Sequence, residues 1–72
     1  MILVAINNVG LCYDQGKGTP KNPQKAFEMY SKSAEGGYAV AIFNVGVYNF
    51  ILIFFILLYF IFNLFIYFLN DF

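Results

Sequence analysis

The chain has 72 residues, of which 61% are hydrophobic and 11% charged, whereas globular proteins average about 45–50% apolar and about 25% charged residues. Four lysines balance four acidic residues, so the net charge is zero and neither nucleic acid nor an anionic surface is a predicted partner. Histidine is absent and Cys12 is the single cysteine, which excludes histidine-based catalysis, Cys/His metal sites and an internal disulfide. We therefore predict that the protein is not an enzyme. No catalytic residue, cofactor, metal or small-molecule substrate is predicted.

The composition divides the chain into two parts. Residues 1–49 hold seven of the eight charges, whereas residues 50–72 hold only Asp71. A stretch of 49 residues with soluble composition is too short to bury a self-sufficient core. The first part is therefore expected to depend on neighbouring structure for its stability.

The first part contains an internal repeat. The segment Ala5–Gly10 recurs as Ala41–Gly46 with five of six residues identical and a spacing of 36 residues. A period in this range is the length of two antiparallel helices with their turns. The repeat therefore predicts an all-α solenoid unit that begins again near residue 38.

The first predicted helix covers residues 3–14. Its apolar residues recur at spacings of three and four, from Leu3 to Tyr13, as in an amphipathic helix. Gly16 is expected to close this helix in the left-handed conformation, and a loop follows to Pro20.

The second predicted helix covers residues 23–35. Asn22 is placed to cap it and Pro23 suits its first turn, because proline lacks the N–H that would be unpaired there. Apolar residues fall on one face of this helix, and Gly36 and Gly37 end it.

These segments resemble a known repeat family. The matching segments are Asn8–Tyr13, Gly16–Gly18, Lys21–Asn22, Lys25–Ala26, Tyr30–Gly36 and Ala41. They resemble the Sel1-like repeat, a relative of the tetratricopeptide repeat, over one full unit (about residues 3–38) and the opening of a second, to about Gly46. The corresponding predicted divisions of the chain are residues 1–38 for the helix pair and 39–49 for the start of the second unit. The resemblance implies one antiparallel helix pair of an α/α solenoid. It also implies a non-enzymatic scaffold or adaptor that binds a partner protein.

The resemblance also implies structural roles for ten residues that shape the helices and turns. They are Gly10, Tyr13, Gly16, Gly18, Ala26, Tyr30, Ala34, Gly36, Ala41 and Gly46. Gly10 and Ala26 are expected to let the paired helices approach closely, and Gly16 and Gly18 to serve the turn. Partner-binding residues are not predicted. Beyond Gly46 the match ends, since Leu52 and Phe54 stand where the repeat calls for glycines.

Residues 50–69 form an apolar stretch of 20 residues without a charge, glycine or proline. As a helix this stretch is about 30 Å long, enough to cross the hydrocarbon core of a bilayer. Its 17 Phe, Ile and Leu residues favour insertion by roughly 5–10 kcal/mol. This gain exceeds the cost of placing the single asparagine of the stretch, Asn63, in the membrane. We predict a C-terminal transmembrane helix followed by a short tail, residues 70–72. All four lysines precede it, which favours a cytosolic N-terminus.

A second interpretation of this stretch remains open. Residues 50–72 use only six residue types, five of which have codons built wholly from A and T. Translated non-coding sequence has this composition, and it would begin where the repeat pattern ends. In that case the chain is a fragment of a longer, soluble, cytoplasmic repeat protein and has no independent function.

Overall fold

The computed structural model describes residues 1–71, which form three α-helices and contain no strand. The helices are α1 (Ile2–Gln15), α2 (Pro23–Glu35) and α3 (Ala39–Asn70). The predicted all-α class is confirmed. The bounds predicted for the first helix differ from those of α1 by one residue at each end, and those predicted for the second helix coincide with α2.

The end of α1 is closed by a glycine and by the chain that follows it. Gly16 lies at φ 69° and ψ 36°, the left-handed conformation that residues with a Cβ adopt at a cost. The Lys17 N–H donates to the Cys12 carbonyl at 2.9 Å. The Asn22 N–H donates to the Tyr13 carbonyl, also at 2.9 Å, so the loop folds back against the last turn of α1.

The start of α2 has the cap that the sequence predicts. The Asn22 side chain accepts a hydrogen bond from the Lys25 N–H at 3.1 Å, and Pro23 occupies the first helical position. This cap satisfies one of the free donors of the first turn.

Helices α1 and α2 lie antiparallel. The Lys25 ammonium, near the start of α2, is 5.5 Å from the ring centre of Tyr13, near the end of α1. At the other end, the Ser33 hydroxyl donates to the Leu3 carbonyl at 2.7 Å. Between them the ring of Tyr30, 2% exposed, lies against Gly10.

The first three turns of α3 pack on α2 and also contact α1. Ala41 is completely buried, and the rings of Phe27 and Tyr48 lie 5.9 Å apart. Since Phe27 is near the start of α2 and Tyr48 is farther along α3, these two helices are antiparallel. Helix α3 is therefore parallel to α1, and the Asn44 amide donates to Asn7 Oδ1 at 3.1 Å.

The start of the second repeat unit and the apolar stretch form one uninterrupted helix. At about 1.5 Å per residue, the 32 residues of α3 form a helix about 48 Å long. No turn forms at residues 49–54, because Leu52 and Phe54 replace the glycines that would break the helix. The predicted division at 49/50 falls inside α3 and stays a prediction. Phe72, the last residue of the predicted tail, lies outside the described residues.

Candidate functional site

One carboxylate contacts the helix pair and also α3. Asp14, at the end of α1, accepts a hydrogen bond from the Tyr30 hydroxyl of α2 at 3.3 Å and another from the Tyr48 hydroxyl of α3. The two tyrosine rings lie 5.8 Å apart, inclined at 53°. These contacts join the first helix pair to the helix that opens the second unit.

Both tyrosines of this cluster have a raised pKa. Burial, and then the charge and hydrogen bond of Asp14, raise the pKa of Tyr30 to about 12. Burial and then the hydrogen bond to Asp14 raise the pKa of Tyr48 as well. Both phenols are therefore neutral hydrogen-bond donors near neutral pH, and neither has the lowered pKa that an activated nucleophile or base requires.

Two further polar contacts are buried between helices. Asn7 is 2% exposed and accepts the hydrogen bond from Asn44, while Ser33 is fully buried and donates to the Leu3 carbonyl. Buried polar groups need such partners, and no buried side-chain N or O within residues 1–71 lacks one. Each contact fixes the relative position of two helices.

Four residues of these contacts are not predicted from the sequence: Asn7, Asp14, Ser33 and Tyr48. Two of them left a signal in the sequence. Tyr13 shifted by the 36-residue period predicts a tyrosine at position 49, and Tyr48 lies one place before it. Ser33 stands where the Sel1-like pattern usually has alanine, and its extra hydroxyl is the group that reaches Leu3.

Four of the ten residues with expected structural roles meet in the packed interior: Gly10, Ala26, Tyr30 and Ala41. Ala26 and Ala41 are completely buried, and a Cβ added at Gly10 would lie 2.8 Å from the ring of Tyr30. Helices α1 and α2 are therefore packed as closely at Gly10 as the Tyr30 ring permits.

The other six lie at the ends and edges of the repeat. Tyr13 carries the Lys25 ammonium over its ring, and Ala34 is half-buried. Gly36 is exposed, and a Cβ added to it would clash with the Leu3 side chain. Gly16 and Gly18 are in the loop between α1 and α2, both with positive φ. Gly46 faces open space.

A shallow, mainly apolar groove lies where the start of α2 meets α3. Its volume is about 540 Å³. It is lined by Pro23, Gln24, Phe27, Tyr48, Asn49 and Leu52. Within residues 1–71 no group of His, Cys, Asp or Glu side chains has the arrangement of a metal site.

A comparison with protein families identifies the helix pair. The Sel1 repeat family model matches residues 3–38, half of the chain. The chain belongs to the Sel1 repeat family. Sel1 repeats are protein-interaction modules and are generally non-enzymatic. The match covers α1 and α2 and ends just before α3 begins. No curated protein and no solved structure matches the chain.

Helix α3 has the length and composition needed to cross a membrane. Of the helices within residues 1–71 it alone meets this criterion, and none of its most apolar window is buried in the protein. All of the large hydrophobic residues from Phe50 to Leu69 are exposed, between 40% and 70% of their surface. The Sel1 repeat covers the first turns of α3 and leaves the rest uncovered.

Proposed function

We propose that this Sel1 chain is a non-enzymatic interaction module that binds a partner protein and is tethered to a membrane by residues 50–69. The observation that carries the proposal is the exposed, uncharged surface of α3 beyond the repeat. Helix α3 is continuous, so the repeat would stand directly on the membrane surface without a flexible linker.

Energetics favour the membrane over water for this surface. The insertion gain of roughly 5–10 kcal/mol estimated from 17 Phe, Ile and Leu residues requires that these side chains be available to lipid, and they are all exposed. The amide of Asn63 donates to the Tyr59 carbonyl of its own helix at 3.0 Å. This contact lowers the penalty of placing an asparagine in hydrocarbon, because one of its polar groups is already paired.

Charge supports an orientation with the repeat in the cytosol. The four lysines lie at positions 17–32, all on the repeat side of the span. Basic residues are retained on the cytosolic side of membranes. The proposed protein-binding surface is therefore cytosolic.

We also propose that the small and aromatic residues of the Sel1 pattern, apart from Gly46, maintain the packing of the three helices and their turns rather than touch the partner. The complete burial of Ala26 and Ala41 supports this role, as does the packing of Gly10 against Tyr30. The partner would then contact the exposed outer surfaces of α1 and α2.

Membrane insertion is tested by translating the full chain with microsomes and extracting them with carbonate. We expect the wild-type chain in the membrane pellet. One central arginine, Leu58→Arg, opposes insertion by about 2.5–3.5 kcal/mol and should be tolerated. Three, Leu57→Arg with Ile61→Arg and Phe65→Arg, oppose it by about 7.5–10.5 kcal/mol and should release the chain.

The matched control adds three arginines to exposed positions of the repeat, Asn8, Gln15 and Gln24. This variant has the same added charge and should stay in the pellet. Wild-type chain in the supernatant would contradict membrane tethering and favour the second interpretation, a fragment of a soluble repeat protein.

Orientation is tested by glycosylation. The sequence has no Asn-x-Ser/Thr acceptor site, so an acceptor added on an extension after residue 72 reports only the position of that end. A cytosolic repeat predicts that this acceptor is glycosylated in microsomes. Glycosylation of an acceptor added before residue 1 instead would reverse the orientation.

Partner binding is tested by cross-linking the tagged full chain in membranes. Ala26→Arg places a charge in the interior of the helix pair and should abolish specific adducts while the chain stays in the pellet. Pro20→Arg, exposed in the loop between α1 and α2 and outside the proposed binding surface, is the matched control and should keep them. Identical adducts from both variants would show that the Sel1 repeat is not the binding element.

A further inference from the structure

The polar side chains of the apolar part of α3 lie on one side of the helix. At about 100° per residue, the five polar side chains within residues 49–70 fall inside an arc of about 80°. They are Asn49, Tyr59, Asn63, Tyr67 and Asn70. The three asparagines also share one register of seven, with Ile56 completing it, and we call these four residues the asparagine stripe.

The opposite side of α3 contains only hydrocarbon. A shallow surface there has no polar atom and is lined by Ile61, Leu64, Phe65, Phe68 and Leu69. Such a surface suits lipid chains. Helix α3 therefore has one side adapted to lipid and one side on which polar groups are concentrated.

The polar side continues the side by which α3 packs on the repeat. Ala41 and Tyr48, which contact α2, lie within about 60° of the line through Asn63. Helix α2 begins at Pro23, which lines the same groove as Leu52, so nothing within residues 1–71 covers this side of α3 farther on. A packing surface thus extends beyond the element that packs on it.

The hydrogen bonds of Asn63 show what fits this side. A carboxamide has two N–H donors and one carbonyl acceptor. One N–H is used by the Tyr59 carbonyl of the same helix. The other N–H and the carbonyl oxygen remain, and lipid can pair neither. A second Asn63 offers the same two groups, so one reciprocal pair of hydrogen bonds satisfies both amides.

We propose that two copies of this chain pair in parallel within the bilayer through the asparagine stripe, with the two Asn63 amides hydrogen-bonded to each other. This proposal rests on the proposed membrane insertion. A repeat of seven residues is the spacing at which two helices keep one side facing each other over several turns. Ile56 and Ile66 supply apolar contacts on either side of Asn63. The dimer would present two Sel1 helix pairs side by side.

Disulfide cross-linking of the full chain in microsomes tests which side is paired. With Cys12→Ala as background, single cysteines replace two residues on the proposed interface, Ile56 and Tyr67. Two residues on the lipid side, Phe54 and Phe65, are replaced in matched variants two residues away. After mild oxidation we expect at least several-fold more dimer from each interface cysteine than from its matched control.

A composition-preserving exchange tests the role of the amide. The variant Asn63→Leu with Leu64→Asn has the hydropathy of the wild type and moves the amide about 100° around the helix. It should insert normally and dimerise roughly 3- to 30-fold more weakly, the range measured for interhelical hydrogen bonds in membranes. Asn63→Gln retains the donors and acceptor and should restore most of the dimer.

The outcomes separate the two proposals. Chain in the membrane pellet with equal cross-linking on both sides, or with dimers unaffected by the exchange, overturns the pairing and leaves the membrane tether standing. Adducts whose mass is not twice that of the chain also overturn pairing between copies. Chain absent from the pellet overturns both proposals.

Discussion

Substituting alanine for two equivalent glycines separates the effect of packing from that of helix propensity. Gly10 and Gly46 occupy the same position of the repeat, 36 residues apart, and both lie inside helices. A Cβ at Gly10 would lie 2.8 Å from two ring carbons of Tyr30 and 3.2 Å from the Ala26 carbonyl oxygen. A Cβ at Gly46 would meet nothing within 4 Å.

The two substitutions should therefore change stability in opposite directions. Each gains about 0.8–1.0 kcal/mol from helix propensity. Gly10→Ala also forces the Tyr30 ring to shift, and that ring is held by its contact with Tyr48 and by Asp14. Overpacking of this kind costs about 1–3 kcal/mol. We expect Gly46→Ala to stabilise α3 by up to about 1 kcal/mol and Gly10→Ala to destabilise the pair by about 0–2 kcal/mol.

Amide hydrogen exchange of the full chain, in bilayers or micelles, measures these changes helix by helix. Gly10→Ala should lower the exchange protection of α1 and α2 by the net amount of about 0–2 kcal/mol. Gly46→Ala should leave these two helices unchanged and raise the protection of α3 by up to about 1 kcal/mol. The opposite result would be Gly10→Ala raising the exchange protection of α1 and α2 above wild type by the full propensity gain of about 0.8–1.0 kcal/mol. That result would refute the overpacking at Gly10. In that case the helices would be farther apart than the contact between Gly10 and Tyr30 indicates.

Three other substitutions test the turns and the tyrosine cluster. Asn22→Ala removes the cap on the Lys25 N–H and should destabilise α2 by about 0.5–2 kcal/mol, visible as faster exchange in its first turn. Gly16→Ala places a Cβ on a residue at φ 69° and should cost about 1–2 kcal/mol, with exchange lost first at the end of α1. Because the pKa of Tyr30 is raised from 10.0 to about 12, the unfolded chain loses this proton first, so stability should fall as the pH rises from 10 to about 12. Asp14→Asn should lower that pKa only part of the way to 10.0, since burial is its largest cause; a pH titration of tyrosinate absorbance that stays unchanged would exclude Asp14 as a contributor.

Local signals in the sequence were sufficient for the helices and their ends. The helix ends depend on the cap at Asn22, the proline after it and the left-handed Gly16, each of which acts within a few residues. The local sequence therefore specifies where α1 ends and α2 begins. The repeat and its match to the Sel1 family model also depend on short, ordered spacings. The apolar stretch is likewise legible because length and composition alone define it.

Contacts between helices were not legible in the same way. The partners of Asp14, Tyr30 and Tyr48, lie 16 and 34 residues away in the chain, so only the packing of three helices brings them together. Nor does the sequence distinguish Gly10 from Gly46, which have the same place in the repeat; a ring contacts one and open space faces the other.

The sequence by itself determined the helical class, the repeat and the apolar span, because periodicity, caps and composition act locally along the chain. The tertiary structure alone decided which polar groups meet, which glycine is tightly packed, and that α3 continues from the repeat into the apolar span without a break. The physical reason is that these properties depend on distances between residues far apart in the chain and on what covers each helix face.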